Sequence, residues 1–235
     1  MCGRYTLILL NDLRKIFNWI SPPEDGQPRY NIAPTQPVLI AANDAPAGRF
    51  KFDFALWGLI PSWAKDPSIG NRMINARAET LAEKPAFRGA LKRRRCLIPA
   101  DGFYEWRKEP DGSKTPIYIR LKSHEPFAFA GLWEDWHDPT GGGSQSRSCT
   151  IITTRPNEMT ASIHDRMPAI VPPERQKLWL SPGELSAADL DAILGPYPAE
   201  AMEAYPVSKT VNSPRNEMAA CVTPLIASVP DSYLL

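Results

Sequence analysis

Net charge is almost absent: the 235 residues carry 27 Lys and Arg against 26 Asp and Glu, a balance of +1 with His neutral. So small an excess excludes capture of a polyanion by the field of the whole molecule, and a nucleic-acid partner would have to be met by a local patch. Cysteine is scarce. Cys2, Cys96, Cys149 and Cys221 stand far apart with no CxxC pair, which excludes a readable disulfide framework or cysteine-rich metal knuckle. The last three lie in apolar, strand-like surroundings and are expected as core residues. Histidine is limited to His124, His137 and His164, none at ligand spacing from another His or Cys. No metal and no cofactor is expected. No apolar run approaches membrane-spanning length, and the first residues lack the basic stretch of a secretory leader. The expectation is a reduced, cytoplasmic protein with no membrane association, and a monomer.

Proline is in excess, at 25 residues, and favours short elements with fixed turns over long helices. With 43% hydrophobic residues spread along the whole length, the chain can fill one sizeable core. No internal repeat or boundary is visible, so a single domain over residues 1–235 is expected.

Alternation and turn chemistry predict strands over residues 2–7, 38–42, 50–57, 96–98, 102–106, 117–121, 127–131 and 149–154. Residues 22–37 and 61–72 read as irregular. Helical spacing appears at Leu10, Leu13, Ile16, Phe17 and Ile20, with Asn11 or Asp12 as cap. It appears again over residues 78–91, broken at Pro85. Further short helices are expected after Pro156, over 173–180 and over 186–194. The Gly141-Gly142-Gly143-Ser144 run reads as a flexible hairpin tip around residues 139–147. Hairpin-like connections without a βαβ rhythm predict an α+β fold: one antiparallel, barrel-like sheet flanked by short helices.

Five features could carry chemistry. Removal of Met1 would leave Cys2 as a 1,2-aminothiol, whose α-amine titrates near ~8 and is a partly free nucleophile at neutral pH. Such a pair condenses with an aldehyde to an imine, which the thiol closes to a five-membered thiazolidine. The alternative reading is that Met-Cys is simply how the chain starts. Asn75 and Arg77 share one side of an extended segment and suit an oxyanion or phosphate clamp, or else Arg77 simply pairs with Glu79 or Glu83. In Gly102-Phe103-Tyr104-Glu105-Trp106, Phe103 and Glu105 share one strand face. A buried Glu105 would have a raised pKa suited to proton transfer; at a sheet edge it would merely face water. His164, in Ser162-Ile163-His164-Asp165-Arg166-Met167-Pro168, is mounted as an acid/base group or is satisfied by Asp165. The basic run Arg88, Lys92, Arg93, Arg94 and Arg95 is either a patch for nucleic acid or a solvated helix end, and Trp63 is the tryptophan best placed to stack on a base, Trp57 and Trp106 being core candidates.

Several runs together resemble the SRAP (SOS response-associated peptidase) family. They are Met1-Cys2-Gly3-Arg4-Tyr5, Tyr30-Asn31-Ile32-Ala33-Pro34-Thr35, residues 57–63, Asn75-Ala76-Arg77-Ala78-Glu79-Thr80, residues 94–106, His164-Asp165-Arg166-Met167-Pro168 and Val211-Asn212. They occur in family order over nearly the whole chain. The resemblance implies a DNA-damage (SOS) role in which the protein shields abasic sites in single-stranded DNA by a covalent cross-link through Cys2. It implies Cys2 as nucleophile, Asn75 as positioning group, Glu105 and His164 as acid/base pair, and Arg4 and Arg77 as phosphate contacts, with Arg166 and Trp63 grouped as further DNA contacts. It also implies a lyase-like activity with removal of Met1 by the protein itself. A self-processing N-terminal cysteine peptidase or amidohydrolase is the alternative enzyme, and a lesion-indifferent single-strand binder the alternative binding protein.

Overall fold

The computed structural model describes residues 2–23, 26–43 and 50–225. Twelve strands follow in chain order among them: β1 Tyr5–Leu7, β2 Arg29–Ile32, β3 Pro37–Asn43, β4 Phe50–Trp57, β5 Asn75–Arg77, β6 Arg95–Ala100, β7 Gly102–Lys108, β8 Lys114–Leu121, β9 Phe127–His137, β10 Gln145–Thr154, β11 Met167–Pro168 and β12 Met202–Pro206. The α-helices are short: α1 Leu13–Ile16, α2 Arg88–Arg93, α3 Glu158–Ala161, α4 Gln176–Leu180 and α5 Ala187–Leu194. Proline limits them, since each ring removes a donor and fixes φ.

One sheet has the order β12-β8-β7-β1-β2. The other runs β11-β10-β4-β3-β6-β9, and β9 pairs again with β10, so that β10, β4, β3, β6 and β9 close into a barrel without an open edge. β6 and β7 are separated only by Asp101, where the chain passes from barrel to open sheet. The chain thus turns a corner directly from one sheet into the other, and the two share one apolar core.

That corner is polar and buried. The Asp101 carboxylate accepts from Thr6 Oγ1 at 2.5 Å, Leu9 N at 2.7 Å and Ile8 N. Gly102 follows because nothing larger fits: a Cβ there would lie 2.1 Å from the Tyr118 hydroxyl, which itself bonds Thr6 Oγ1 at 2.8 Å. Below it, the Tyr5 ring meets Trp57 and Phe129 edge-on, with centroids 5.3 and 5.7 Å apart. Each such fully buried side chain contributes roughly 1.5–3 kcal/mol of apolar transfer free energy.

The antiparallel, barrel-like expectation holds, with two exceptions. β10 runs parallel to both β4 and β5, because these strands lie far apart in sequence and no hairpin constrains their direction. Residues 29–32, read as loop, form edge strand β2. Its backbone donors are covered from outside: Glu217 accepts from Asn31 N at 2.9 Å and from Tyr30 N. The helix expected from Leu10 is a 3-10 turn followed by the four residues of α1, and the Asp12 side chain makes no cap bond. It pairs with Lys15 at 3.2 Å instead. Residues 78–91 split into a 3-10 turn at Ala78–Thr80 and α2, on either side of Pro85. The Pro110-Asp111-Gly112 turn closes β7 on β8 with Gly112 at φ +83°, a conformation that favours glycine. Gly141 and Gly143, at +80° and +73°, turn β9 into β10.

The basic run does not form one patch. Arg94 pairs with the buried Glu134 at 2.6 Å and Lys92 with Glu184 at 2.7 Å. Arg95 is buried and donates to the carbonyls of Trp179 and Leu91, each at 2.5 Å, of Gly183 at 2.9 Å, and of Ser181. It staples the α4 region onto the barrel. Arg95→Ala would strip four carbonyls of their donor, and orphaned buried acceptors cost about 1–3 kcal/mol each. The variant should lose at least about 3 kcal/mol by urea denaturation; a loss below about 1 kcal/mol would show that water replaces the guanidinium without penalty.

Candidate active site

Four segments converge beside the start of β1. The Cys2 side chain is fully buried, its Sγ 4.0 Å from the Arg4 carbonyl oxygen. Tyr104 N donates to that carbonyl at 2.9 Å and extends the β1–β7 ladder beyond Tyr5↔Phe103, which brings Glu105 alongside the Cys2-Gly3-Arg4 stretch. From β5, Asn75 Nδ2 donates to the Cys2 carbonyl at 2.9 Å. β5 is held parallel to β10 with Asn75 opposite Ile151, and β10 carries β11, just before which His164 stands. The four residues singled out in the sequence are therefore one constellation.

Strand alternation sorts β7 as its sequence suggests. Phe103 packs into the main core, while Tyr104 sits in a smaller cluster against which Trp106 packs. Glu105 points with Phe103 and is 3% exposed, on the middle strand of the open sheet, so the water-facing edge reading fails. Burial pushes its carboxyl up to about 7, with the nearby Asp165 charge acting in the same sense. Burial also raises the Cys2 thiol well above its ordinary range, and Glu105 adds to the effect. At neutral pH the thiol keeps its proton and Glu105 is poised between acid and base.

His164 Nε2 lies 4.0 Å from Glu105 Oε2. Its Nδ1 receives Arg166 N–H at 3.1 Å, which places the proton of the neutral ring on Nε2, toward Glu105. The Asp165 carboxylate is 2.8 Å from the same Nδ1 and becomes its partner once the ring is protonated. Burial lowers the His164 pKa and Asp165 opposes the shift. The Asp165 contact weighed as the alternative for this histidine is thus present, on the ring nitrogen that faces away from Glu105. Asn75 Oδ1 is buried and has no hydrogen-bond partner among the described residues. Such an acceptor costs about 1–3 kcal/mol unless a ligand supplies a donor. Among the described residues no three His, Cys, Asp or Glu side chains could hold a metal ion.

The surrounding cations divide into engaged and open. Arg77 is exposed and forms no ion pair among the described residues; the pairing with Glu79 does not occur. Glu79 is taken by Arg166, Nη1 to Oε1 at 2.7 Å and Nη2 to Oε2 at 2.9 Å, and Arg166 Nη2 also donates to Thr153 O at 2.6 Å. Arg4 Nη1 donates to Asn31 Oδ1 and Val211 O, both at 2.7 Å, with the guanidinium 5.8 Å from the Trp106 ring centre. Arg4 and Arg166, expected as DNA contacts, both have guanidinium partners within the chain in this structure. Trp63 is 59% exposed in the loop after β4, whereas Trp57 is buried and donates to Ile74 O at 2.8 Å. Trp106 is half-buried, bonding Asn212 Oδ1 at 2.8 Å.

Sequence reasoning gave no separate role to Asn31, whose Nδ2 donates to the carbonyls of Val211, Ser213 and Asn216 and binds the C-terminal segment beneath Arg4. Its place in a quoted motif was the available signal.

Comparison with known proteins places this geometry. The family model "SOS response associated peptidase (SRAP)" matches residues 1–214. The abasic site processing protein YoqW of Bacillus subtilis is 50% identical over 219 residues, covering 92% of this chain and 96% of the relative. YedK of Escherichia coli, also named an abasic site processing protein, is 30% identical and covers 96% of this chain and 100% of its own. HMCES of Xenopus tropicalis, named likewise, is 32% identical over 96% of this chain and 79% of its own. A solved structure from Bacteroides thetaiotaomicron superposes with a TM-score of 0.82 at 28% identity, covering 96% of this chain and 100% of that one.

The raised Glu105 pKa carries a stability consequence with a definite sign. The folded state holds the proton up to about pH 7, whereas an unfolded Glu releases it near its ordinary value of 4.5. Stability must therefore fall as pH rises from about 4.5 to about 7, by up to roughly 3 kcal/mol, and stay low above that. Glu105→Gln, which cannot ionise, should be more stable than wild type at pH 8 and lose that advantage near pH 4.5. Urea denaturation at both pH values checks it; a difference that does not change with pH would return Glu105 to an ordinary carboxylate.

Proposed function

The chain belongs to the SOS response associated peptidase family, and on that footing we propose that it captures abasic sites in single-stranded DNA as a covalent cross-link through Cys2. The observation that supports this most is the meeting of Cys2 with Asn75, Glu105 and His164 in one buried corner.

Hydrolysis of the Met1–Cys2 bond frees the Cys2 α-amine. An abasic deoxyribose is mainly a closed hemiacetal; protonated Glu105 donates to the ring oxygen while the anomeric hydroxyl gives its proton to water, breaking the ring C–O bond and leaving the aldehyde. The amine adds to the aldehyde carbon, and Glu105, now a carboxylate, takes the proton released from nitrogen. Loss of water, with His164 relaying protons, leaves the imine. Cys2 Sγ then bonds to the same carbon and the thiol proton passes to nitrogen. The sum is amine, thiol and aldehyde to thiazolidine plus one water. Asn75 holds the Cys2 carbonyl so that amine and thiol stay beside Glu105, and its unpaired Oδ1 accepts from the amine or a sugar hydroxyl.

Arg77 meets a phosphate beside the lesion, and Arg4 and Arg166 contribute where a phosphate can share them with their present partners. Trp63 offers a stacking face. A flexible single strand can follow such a surface, and an abasic site presents no base to exclude. The peptidase alternative gains little here. Asn75 bonds the carbonyl of Cys2 itself, one peptide beyond the Met1–Cys2 bond, and so is not placed as an oxyanion donor for cutting that bond.

Incubation of the Met1-processed protein with an abasic single-stranded oligonucleotide should yield a species stable in SDS, with the mass of protein plus oligonucleotide less one water. Cys2→Ala should abolish it; cross-linking by that variant at the wild-type rate would end the thiazolidine mechanism. Glu105→Ala should slow bond formation about 10²-fold or more while non-covalent affinity changes little. Equal losses in rate and affinity would make Glu105 a binding residue.

A further inference from the structure

The end of β10 gathers three guanidinium groups. Thr153 stands opposite Arg77 in the β5–β10 register, its carbonyl receives Arg166, and two residues on lies Arg155. From this rim a groove of about 460 Å³ opens between residues 78–82, Thr154 and Arg155, and helix α5. Its floor is apolar, built by Leu81, Leu91, Leu190 and Leu194. A second hollow of about 430 Å³ continues past Arg155 and Asp191 to Tyr197 and Pro198. Arg155 therefore forms the ridge between them. Tyr197 is half-buried, and its backbone is tied by Asn157 Nδ2 to Tyr197 O at 2.8 Å.

Charge separates this groove from an ordinary surface furrow. The Glu79 carboxylate on its near wall is neutralised by Arg166. Arg77 and Arg155 are exposed and form no ion pairs among the described residues; Arg155 lines the groove, with Asp191 on its rim and Glu174 close enough to act on Tyr197. A cation without a partner on an apolar floor, with Arg77 before it and a tyrosine beyond it, matches what a single strand presents: phosphates at intervals and base faces between them. A peptide offers no such repeating anion. The groove also begins at Ala78, the residue after Arg77 and three after Asn75, which bonds the Cys2 carbonyl.

Resting on that reading, we infer that the DNA flanking the lesion leaves the pocket over Arg77 and runs along this groove, setting one phosphate on Arg155 and one base against Tyr197.

Equilibrium binding in a Cys2→Ala background, to oligonucleotides whose abasic sugar is reduced and carries no aldehyde so that no bond forms, tests the path. Three abasic oligonucleotides are compared: one with a single nucleotide on either side of the lesion, one with a long 5′ tail and one with a long 3′ tail. For the tail that fills the groove, Arg155→Gln should reduce the slope of log K against log[salt] by about 0.7, the value of one single-strand phosphate contact. Tyr197→Ala should weaken the same oligonucleotide roughly fivefold or more. Asp191→Asn should tighten it. The short oligonucleotide should show none of these effects. Unchanged slopes for both tails, or an equal change with the short one, would overturn the assignment. The slopes are read without cross-linking, so they stand apart from the chemistry: SDS-stable product with unaltered slopes sinks the groove alone, and altered slopes without product sink the thiazolidine alone.

Discussion

Asp101 stands where the chain leaves the closed barrel for the open sheet, and its carboxylate is the constraint on which the active corner depends. It accepts from Thr6, Ile8 and Leu9, the residues that finish β1 and turn the chain away. Burial raises its pKa while these donors oppose the shift, so the group is held by the bonds it makes. With β1 pinned at that end and laddered to β7, Cys2 cannot drift from Glu105, since only a few residues separate the anchor from the thiol. A buried acid that organises backbone donors thus sets the position of a reactive residue just ahead of the same short strand.

The same corner holds groups that folding alone would not choose. Glu105 is a carboxyl in an apolar wall, and Asn75 Oδ1 is a buried acceptor without a donor among the described residues. Each costs stability, and they lie within one site beside a buried cysteine. Barrel closure, the aromatic core under Tyr5 and the Arg95 staple supply the surplus that offsets them. Local rules broken together, in one place, are what a site shaped for chemistry shows.

Legibility from sequence followed the range of the interaction. Alternation in residues 50–57, 102–106 and 149–154 reports strands because side-chain direction in a strand has period two. The Pro110-Asp111-Gly112 turn has an equally local cause, Gly112 standing at φ +83° where glycine is favoured. β2 was hidden because it is short and flanked by proline, and it persists through Glu217 and Asn31, whose contacts span about half or more of the chain. The first helix was overestimated because helical spacing in Leu10, Leu13 and Phe17 does not reveal that α1 is only four residues long.

Residue identity by itself determined the chemistry on offer: an aminothiol once Met1 leaves, an amide, a carboxyl and an imidazole, in segments ordered as in one family. Only the tertiary structure decided their state. It took Glu105 out of water and so moved its pKa toward neutrality. It turned His164 toward Glu105 and gave Asp165 the other ring nitrogen. It also divided like arginines, engaging Arg4 with Val211 and Arg166 with Glu79 while leaving Arg77 and Arg155 exposed on the rim. A guanidinium has the same five donors wherever it stands. What it can bind depends on which acceptors the fold brings to it, and those come from segments that the order of residues along the chain keeps far apart.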